Sequence, residues 1–360
     1  MPFGLTSPLL SNMISISDVA REASCSPSLV SKVLRNRMGK SSARPETIAR
    51  IHETAKRLGY TPNPTARALV QGKRGAIAIL IPEFYGQPSS GLDSKLLITI
   101  AKDLNIRNER LMLQFYWTID DLKDALKASN PASVDGIIAV LTPSSGNPPL
   151  SEILSTVKIP IVTINTQPVA DTIPNVGLDQ ISVGYCATKH LLDCGCKAPL
   201  FIACTDNETK MRFTGFKTAL QEVGLPFSPS HYWDIQLYRQ EILIRNIVES
   251  INGKFDWDSI VTPSDSIAFT AIQTLQTNGF RIPDDIQIVG IDNSPICNYA
   301  IPHISSVSGC DDERAMIAIR ELHNLMNGEK AENHIIEPKV MVRQSTRPLS
   351  STDPLRKRGY

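Results

Sequence analysis

Ile14–Gly72 reads ISISDVAREASCSPSLVSKVLRNRMGKSSARPETIARIHETAKRLGYTPNPTARALVQG, and its pattern predicts three short helices followed by an amphipathic tail. Ser15 or Ser17 can cap the first helix. Asp18 and Glu22 sit near its positive end, and Val19, Ala20 and Ala23 form one apolar face. Ser24-Cys25-Ser26 is a tight polar turn, and Pro27 stands at a first helical position, where its missing N–H costs nothing. Advancing the second helix by about 100° per residue gathers Val30, Val33 and Leu34 on one side. Ser28, Lys32 and Arg35 then point the other way, with Leu29 and Ser31 at the margins of that outward face. The third helix starts at Pro45, turns Ile48, Ile51, Ala55 and Leu58 inward, and stops at Gly59. A helix buried on one side, exposing short polar and basic groups after a four-residue turn, has the form that a helix-turn-helix inserts into the major groove.

A bare three-helix bundle would share this periodicity, and charge separates the two readings. Residues 1–74 carry twelve Lys and Arg against four Asp and Glu, a net of +8, while the whole 360-residue chain is only +1. The remaining residues, 75–360, are therefore at −7. A basic head on an acidic body implies a polyanionic partner for the head.

Several stretches of the head carry a family resemblance. Asp18-Val19-Ala20, Ser26 to Leu34, Arg44-Pro45-Glu46-Thr47 and Leu58 to Leu69 resemble, in order, the DNA-binding head of the lactose-repressor (LacI/GalR) family. The resemblance implies that Ser26, Ser28, Leu29, Ser31, Lys32 and Arg35 face DNA. It also implies a hinge helix from Pro64 to about Gln71, with Asn63 and Ala66 at the duplex and Leu69 wedged into the minor groove. An apolar wedge of that kind unstacks a base step and bends the DNA toward the protein. The chain departs from the family at Leu29, Lys32 and Arg35, where Thr, Arg and Asn are usual. Lysine is a single rotatable charge instead of a planar fork, which weakens the case for a bidentate guanine contact and leaves the operator sequence open.

With 42% hydrophobic residues, the rest of the chain can bury more than one core. Buried strands are predicted at Ala76–Ile81, Gly136–Leu141, Ile159–Ile164, Leu200–Cys204, Ser259–Thr262 and Ile286–Ile291, with a further strand at Arg110–Phe115. Helices are predicted at Leu92–Leu104, Asp120–Ser129, Val183–Cys194, Arg212–Val223 and Ser266–Asn278. Continuous apolar strands alternating with helices mean doubly wound parallel α/β sheets, and there are too many strands for one sheet, so two lobes are expected. Val176 to Asp179, Lys189 to Gly195, Arg212 to Phe216 and Pro283 to Asp292 resemble the family's effector domain, which is similar to periplasmic sugar-binding proteins. The expected organisation is a leader (1–13), the helix-turn-helix domain (14–61), a hinge and linker (62–74), a two-lobed effector-binding and dimerisation domain (75–346) and a tail (347–360). Crossovers between the lobes are expected near Ile164–Asn165 and Asp292–Pro295, with a return segment near Ser305–Val307.

Ligands in open α/β sheets sit beyond the carboxyl ends of the strands. Asp265 and Asp292 follow two such strands, Arg212 opens a helix after a third, and the resemblance places all three in the effector cleft. Two carboxylates and a guanidinium suit a sugar or similar polyol; the alternative is that the aspartates cap local turns and Arg212 pairs at the surface. Ser264 stands where the family often has Asn, so one amide contact is missing. Glu208, four residues before Arg212, either faces the cleft or pairs with that arginine. Phe84 and Tyr85 either line the pocket or pack as lid or core. Trp233 is the residue the resemblance offers as an aromatic platform for a sugar face.

Residues 1–13 have no basic region before an apolar run, so they do not read as a signal peptide, and no stretch approaches the roughly 18 apolar residues of a membrane span. Seven cysteines without framework spacing read as reduced thiols, Cys194-Gly195-Cys196 lacks a second ligand pair for zinc, and the composition suits the cytoplasm. No metal or other cofactor is expected. Nucleophile-elbow, phosphate-loop and zinc-protease motifs are absent, so the chain does not read as an enzyme. The expectation is a homodimeric, ligand-responsive DNA-binding regulator, most simply a repressor, on a pseudo-palindromic operator. Its rivals are a solute-binding receptor with no DNA role and a sugar-metabolising enzyme.

Overall fold

The computed structural model describes residues 14–34, 43–60, 74–82, 91–141, 149–236, 239–252 and 256–348. It divides into two units, 1–74 and 75–360. The hinge, Arg35, Asn63, Ala66, Leu69, Phe84, Tyr85, the leader and most of the tail lie outside the described residues.

In the first unit, α1 (Ile16–Glu22), α2 (Pro27–Leu34) and α3 (Pro45–Leu58) form where the periodicity places them. Ser15, not Ser17, begins the first helix. Its hydroxyl accepts from the Asp18 N–H at 3.2 Å while the Asp18 carboxylate accepts from the Ser15 N–H at 3.0 Å, a reciprocal cap that satisfies two orphan donors. α3 ends on Gly59 in the left-handed conformation, φ 67°. Val19, Ala20, Ala23, Val30, Val33, Ile51 and Ala55 make a common core, and Leu29 and Leu34 pack against it from the margin.

The second unit has two α/β lobes. Lobe 1 is a four-stranded parallel sheet in the order β2 (Arg110–Tyr116), β1 (Ala76–Pro82), β3 (Gly136–Val140), β4 (Ile161–Ile164). Its helices are α4 (Gly91–Ile106), α5 (Ile119–Ala128) and α6 (Leu150–Ser155). Lobe 2 is a six-stranded sheet in the order β12 (Lys339–Met341), β10 (Ser305–Ser308), β9 (Gln287–Ile291), β8 (Ser259–Val261), β6 (Pro199–Ala203), β7 (Tyr232–Asp234), parallel except for β12. α7 (Gln180–Asp193), α8 (Asn207–Glu222), α9 (Gln240–Asn252) and α10 (Asp265–Thr277) accompany it. β5 (Val176–Leu178) pairs with β11 (His334–Ile336) in a small parallel sheet between the lobes' chain segments.

Two expected passages are displaced: the crossover near Asp292–Pro295, and the return near Ser305–Val307, which lies inside β10 while the chain comes back to lobe 2 only at β12. The chain stays in lobe 2 beyond Asp292, because β9 and β10 are adjacent strands of one sheet, with Ser306 beside Gly290. It leaves only after Ser308, through Cys310 (φ 53°), into α11 (Asp311–Met326). α11 belongs to lobe 1: Ala315, Ala318, Ile319 and Leu322 pack with Ile77, Ile79 and Ile138.

None of the seven cysteines is in a disulfide. Burial pushes the Cys194 thiol up to about 12 and that of Cys196 to about 11, so both are inert thiols. Among the described residues, no helix is long and apolar enough to cross a membrane, and no group of His, Cys, Asp and Glu could hold a metal ion.

Buried His190 makes a pH dependence of stability. Its Nε2 lies 2.9 Å from the Thr346 hydroxyl, and burial lowers its pKa from 6.5 to about 4. Between those values the unfolded chain takes up a proton that the fold refuses, so this contribution is whole above pH 6.5 and declines as the pH falls toward 4. The expected loss at pH 4 is about 3 kcal/mol. Urea denaturation at pH 7, 5.5 and 4 should show it, with His190→Gln removing that share of the slope.

Candidate functional site

The outward face of α2 is as its sequence reads. Ser26, Ser28 and Lys32 are exposed, Leu29 and Ser31 are half-buried, and Val30 and Val33 are buried. The Ser26 hydroxyl accepts from the Leu29 N–H at 3.3 Å, so it caps the helix as well as standing at its exposed N-terminal end. That end, with short polar side chains and one cation, can reach base edges and phosphates.

In the second unit, polar residues gather where the chain passes between lobes. Arg212 is 5% exposed. Its Nε donates to Gln180 Oε1 at 2.7 Å and Nη1 to the Pro263 carbonyl at 3.0 Å, while Nη2 is 3.6 Å from Glu208 Oε2. Glu208 Oε1 accepts from the Thr166 hydroxyl at 2.8 Å, so it both faces the crossover after β4 and pairs with Arg212. These bonds set the guanidinium rigidly at the carboxyl end of lobe 2.

The position of Arg212 depends on a close crossing of α7 and α8. A Cβ at Gly184 of α7 would fall 1.8 Å from the Arg212 carbonyl oxygen, which is backbone and cannot step aside. Gly184→Ala must therefore push α8 away from α7. We expect a stability loss of about 1–3 kcal/mol or more from overpacking, together with a displaced Arg212, measurable as a lower denaturation midpoint.

Asp265 is 1% exposed and both its oxygens are committed: Oδ2 accepts from the Ser294 N–H and Oδ1 from the Ser306 hydroxyl, each at 2.6 Å. Burial raises its pKa while those donors oppose the rise. A Cβ at Gly290 would lie 2.2 Å from Oδ1, so only glycine leaves room for this seat. Asp265 thus acts as a clamp on the loop after β9. In that loop Asp292 has φ 104° and Asn293 φ 54°, a conformation that costs non-glycine residues of order 1–3 kcal/mol each and persists where surrounding bonds enforce it. Those bonds are Asp292 N–H to the Val307 carbonyl (2.9 Å), Asn293 N–H to the Ser306 hydroxyl (2.9 Å) and Ser294 N–H to Asp265. The result holds Asp292 half-buried at this turn. Burial, then the Asp265 carboxylate, push its pKa well above the usual range, against the pull of Arg212.

Trp233 is not brought to this group. It packs edge-to-face on Trp257 at 4.8 Å, against the core formed by α9, α10 and one face of the sheet, because alternate residues of β7 face opposite ways. Tyr232 takes the other face, with Phe201 and Phe213. Sequence reasoning missed Gln180, Thr166, Ser306, Asp311 and Arg314. Gln180 follows the N-cap Asp179 of α7 and was within sight, whereas Asp311 and Arg314 lie on a helix that was not assigned.

Comparisons with known proteins follow both units. The profile of bacterial regulatory proteins, lacI family, matches residues 15–63, and that of the periplasmic binding protein-like domain matches residues 188–346. The chain is 28% identical to the HTH-type transcriptional regulator RegA of Clostridium saccharobutylicum, over 92% of this chain and 99% of RegA. It is 27% identical to catabolite control protein A of Priestia megaterium, over 93% and 99%. The fold is similar to that of the lac repressor dimer bound to operator and the anti-inducer ONPF, with TM-score 0.76 and 16% identity over 92% of this chain and 99% of that one. It is also similar to the transcriptional regulator CelR–cellobiose complex, with TM-score 0.65 and 21% identity over 92% and 99%. The chain thus joins a lacI-family DNA-binding head to a periplasmic-binding-protein-like domain, and the relatives it matches along nearly their whole length are LacI-family transcriptional regulators.

Proposed function

We propose that the protein is a cytoplasmic, homodimeric repressor whose grip on a pseudo-palindromic operator is set by a small carbohydrate-like effector in the cleft between its lobes. The observation that carries this reading is the gathering of Arg212, Glu208 and Asp292, with Glu208 held to Thr166 at the crossover after β4, in a chain with a basic helix-turn-helix head. Arg212 and Asp292 offer fixed donors and an open acceptor to neighbouring hydroxyls, the chemistry by which polyols are held. Glu208 and Asp265 hold these two in place. A neighbour in fold is a complex with the disaccharide cellobiose, which supports a carbohydrate.

At DNA, Ser26, Ser28, Leu29, Ser31, Lys32 and Arg35 would meet the major groove, and Asn63, Ala66 and Leu69 the hinge contact. Leu113 and Phe115 of β2, the edge strand of lobe 1, and Trp117 just beyond it are exposed at every second position, and such a row supports pairing with a second copy. Closure of the lobes around effector would change the spacing of the paired hinges, and a coupling of about 1–3 kcal/mol would alter operator affinity roughly 5- to 150-fold.

The test is selection of bound fragments from the organism's own DNA by the purified chain, followed by gel shifts with candidate carbohydrates. One recurring palindromic sequence, released or tightened by a carbohydrate, supports the proposal. Equal retention of all fragments as of random competitor defeats it. Leu69→Ala should weaken operator binding far more than nonspecific binding, and equal losses on both would contradict the wedge.

A further inference from the structure

A second guanidinium is buried at the same crossovers, and its bonding is incomplete. Arg314 lies in the first turn of α11, the helix that the chain enters as it leaves lobe 2. It is 7% exposed, yet its only ion-pair contact among the described residues is Nη1 to Asp311 Oδ1 at 3.5 Å. Among the described residues, its buried Nε–H has no hydrogen-bond partner. The unmet Nε side is one of the two edges of the fork, the edge from which parallel N–H groups donate to two oxygens of one oxyanion.

The group stands among the same charged residues as the cleft already described. Asp311 follows directly on the crossover from β10, and the Asp292 N–H donates to Val307 within that strand. The charges act on one another accordingly: Glu208 favours the Arg314 cation, and Asp311 pushes up the Asp292 carboxyl.

Four carboxyls surround two guanidiniums here, which at first favours a cationic ligand. The carboxyls, however, can relieve their own burial. Asp265 has both oxygens committed, Glu208 holds Thr166 and Arg212, and Asp311 is pushed up to about 6 by burial, so it can take a proton. An arginine cannot shed its proton in a protein, so a buried N–H edge without an acceptor has no such exit. The unmet demand in the cleft is for an oxyanion.

We infer that the effector is an acidic carbohydrate, a polyol bearing a carboxylate or a phosphate, with its oxyanion on the Nε edge of Arg314 and its hydroxyls toward Asp292 and Arg212. The inference rests on the cleft being the effector site.

Calorimetry on the full chain tests it, using D-gluconate, D-galactonate, D-glucuronate, D-galacturonate, glucose 6-phosphate and galactose 6-phosphate as probes. D-glucose, D-galactose and D-glucosamine are the comparators. At least one acid should bind about 10- to 100-fold more tightly than its neutral parent, and carboxylate against phosphate tells the two sources apart. Arg314→Gln should erase that preference. Arg314→Lys keeps the charge without the fork, serves where the glutamine variant fails to fold, and should lose most of it. Failure of every acid to bind, equal or tighter binding of a neutral or amino sugar, or a preference that survives both variants overturns the inference. Neutral sugar binding that Arg212→Ala removes and Arg314→Gln leaves intact would sink the acidic effector while sparing the cleft. Sugar binding unaffected by either variant would sink both.

Discussion

Operator affinity should fall by roughly 10³- to 10⁵-fold as salt rises from about 50 to about 200 mM, the range for a protein making some six to ten phosphate contacts. The cause is the +8 carried by residues 1–74 in a chain whose other residues sum to −7. Each cation that neutralises a phosphate releases condensed counterions, so the logarithm of affinity falls linearly with that of salt. The acidic body adds nothing to this attraction and keeps the rest of the surface off the duplex. A filter-binding or anisotropy titration on a selected operator measures the slope. Lys32→Ala should flatten it by about one unit if that side chain meets a phosphate. A flat titration would remove the electrostatic basis assigned to the head.

Arg212→Ala should abolish the effector response while operator binding persists. The side chain is 5% exposed and fixed by Gln180, the Pro263 carbonyl and Glu208. Its removal deletes a charged donor at the site and leaves Glu208 with Thr166 alone among these partners. Losing a charge-assisted contact of about 1.5–3 kcal/mol weakens effector binding roughly 10- to 150-fold. A roughly 10- to 150-fold weaker affinity leaves the site largely empty at the concentrations that saturate the unaltered protein, so the response should vanish over the usual range of effector concentration. Arg212→Lys keeps charge and bulk and separates lost recognition from lost folding. Full response in either variant would move the pocket elsewhere.

Much of the site was legible because it sits where strands end. Asp292 follows directly on β9, and Arg212 lies in the second turn of the helix after β6, the ends where α/β topology puts ligands whatever the ligand is. Asp265 also stands at such an end, but the same signal could not tell that Ser294 and Ser306 would occupy both its oxygens. Trp233 misled because an exposed-looking aromatic near a strand end says nothing about which face of the sheet it takes. The parity of β7 turns it onto Trp257. α11 went unseen for a local reason: Cys310 precedes it without a side-chain cap, and Asp311, Arg314 and Glu321, which read as solvent-facing, are buried. Without that helix the crossover was drawn at Asp292 instead of after Ser308, and Arg314 had no place in the cleft.

Period and charge alone determined the three-helix head, the outward face of α2 and the two-lobed α/β body, because helix faces and buried strands write their burial directly into the order of apolar residues. Tertiary structure alone decided which carboxylates are spent as clamps, which side of β7 its tryptophan takes, and that a second arginine is buried with an unmet donor. Those outcomes depend on contacts between residues far apart in the chain. Local sequence carries the cost of burying a charge but not the partner that relieves it.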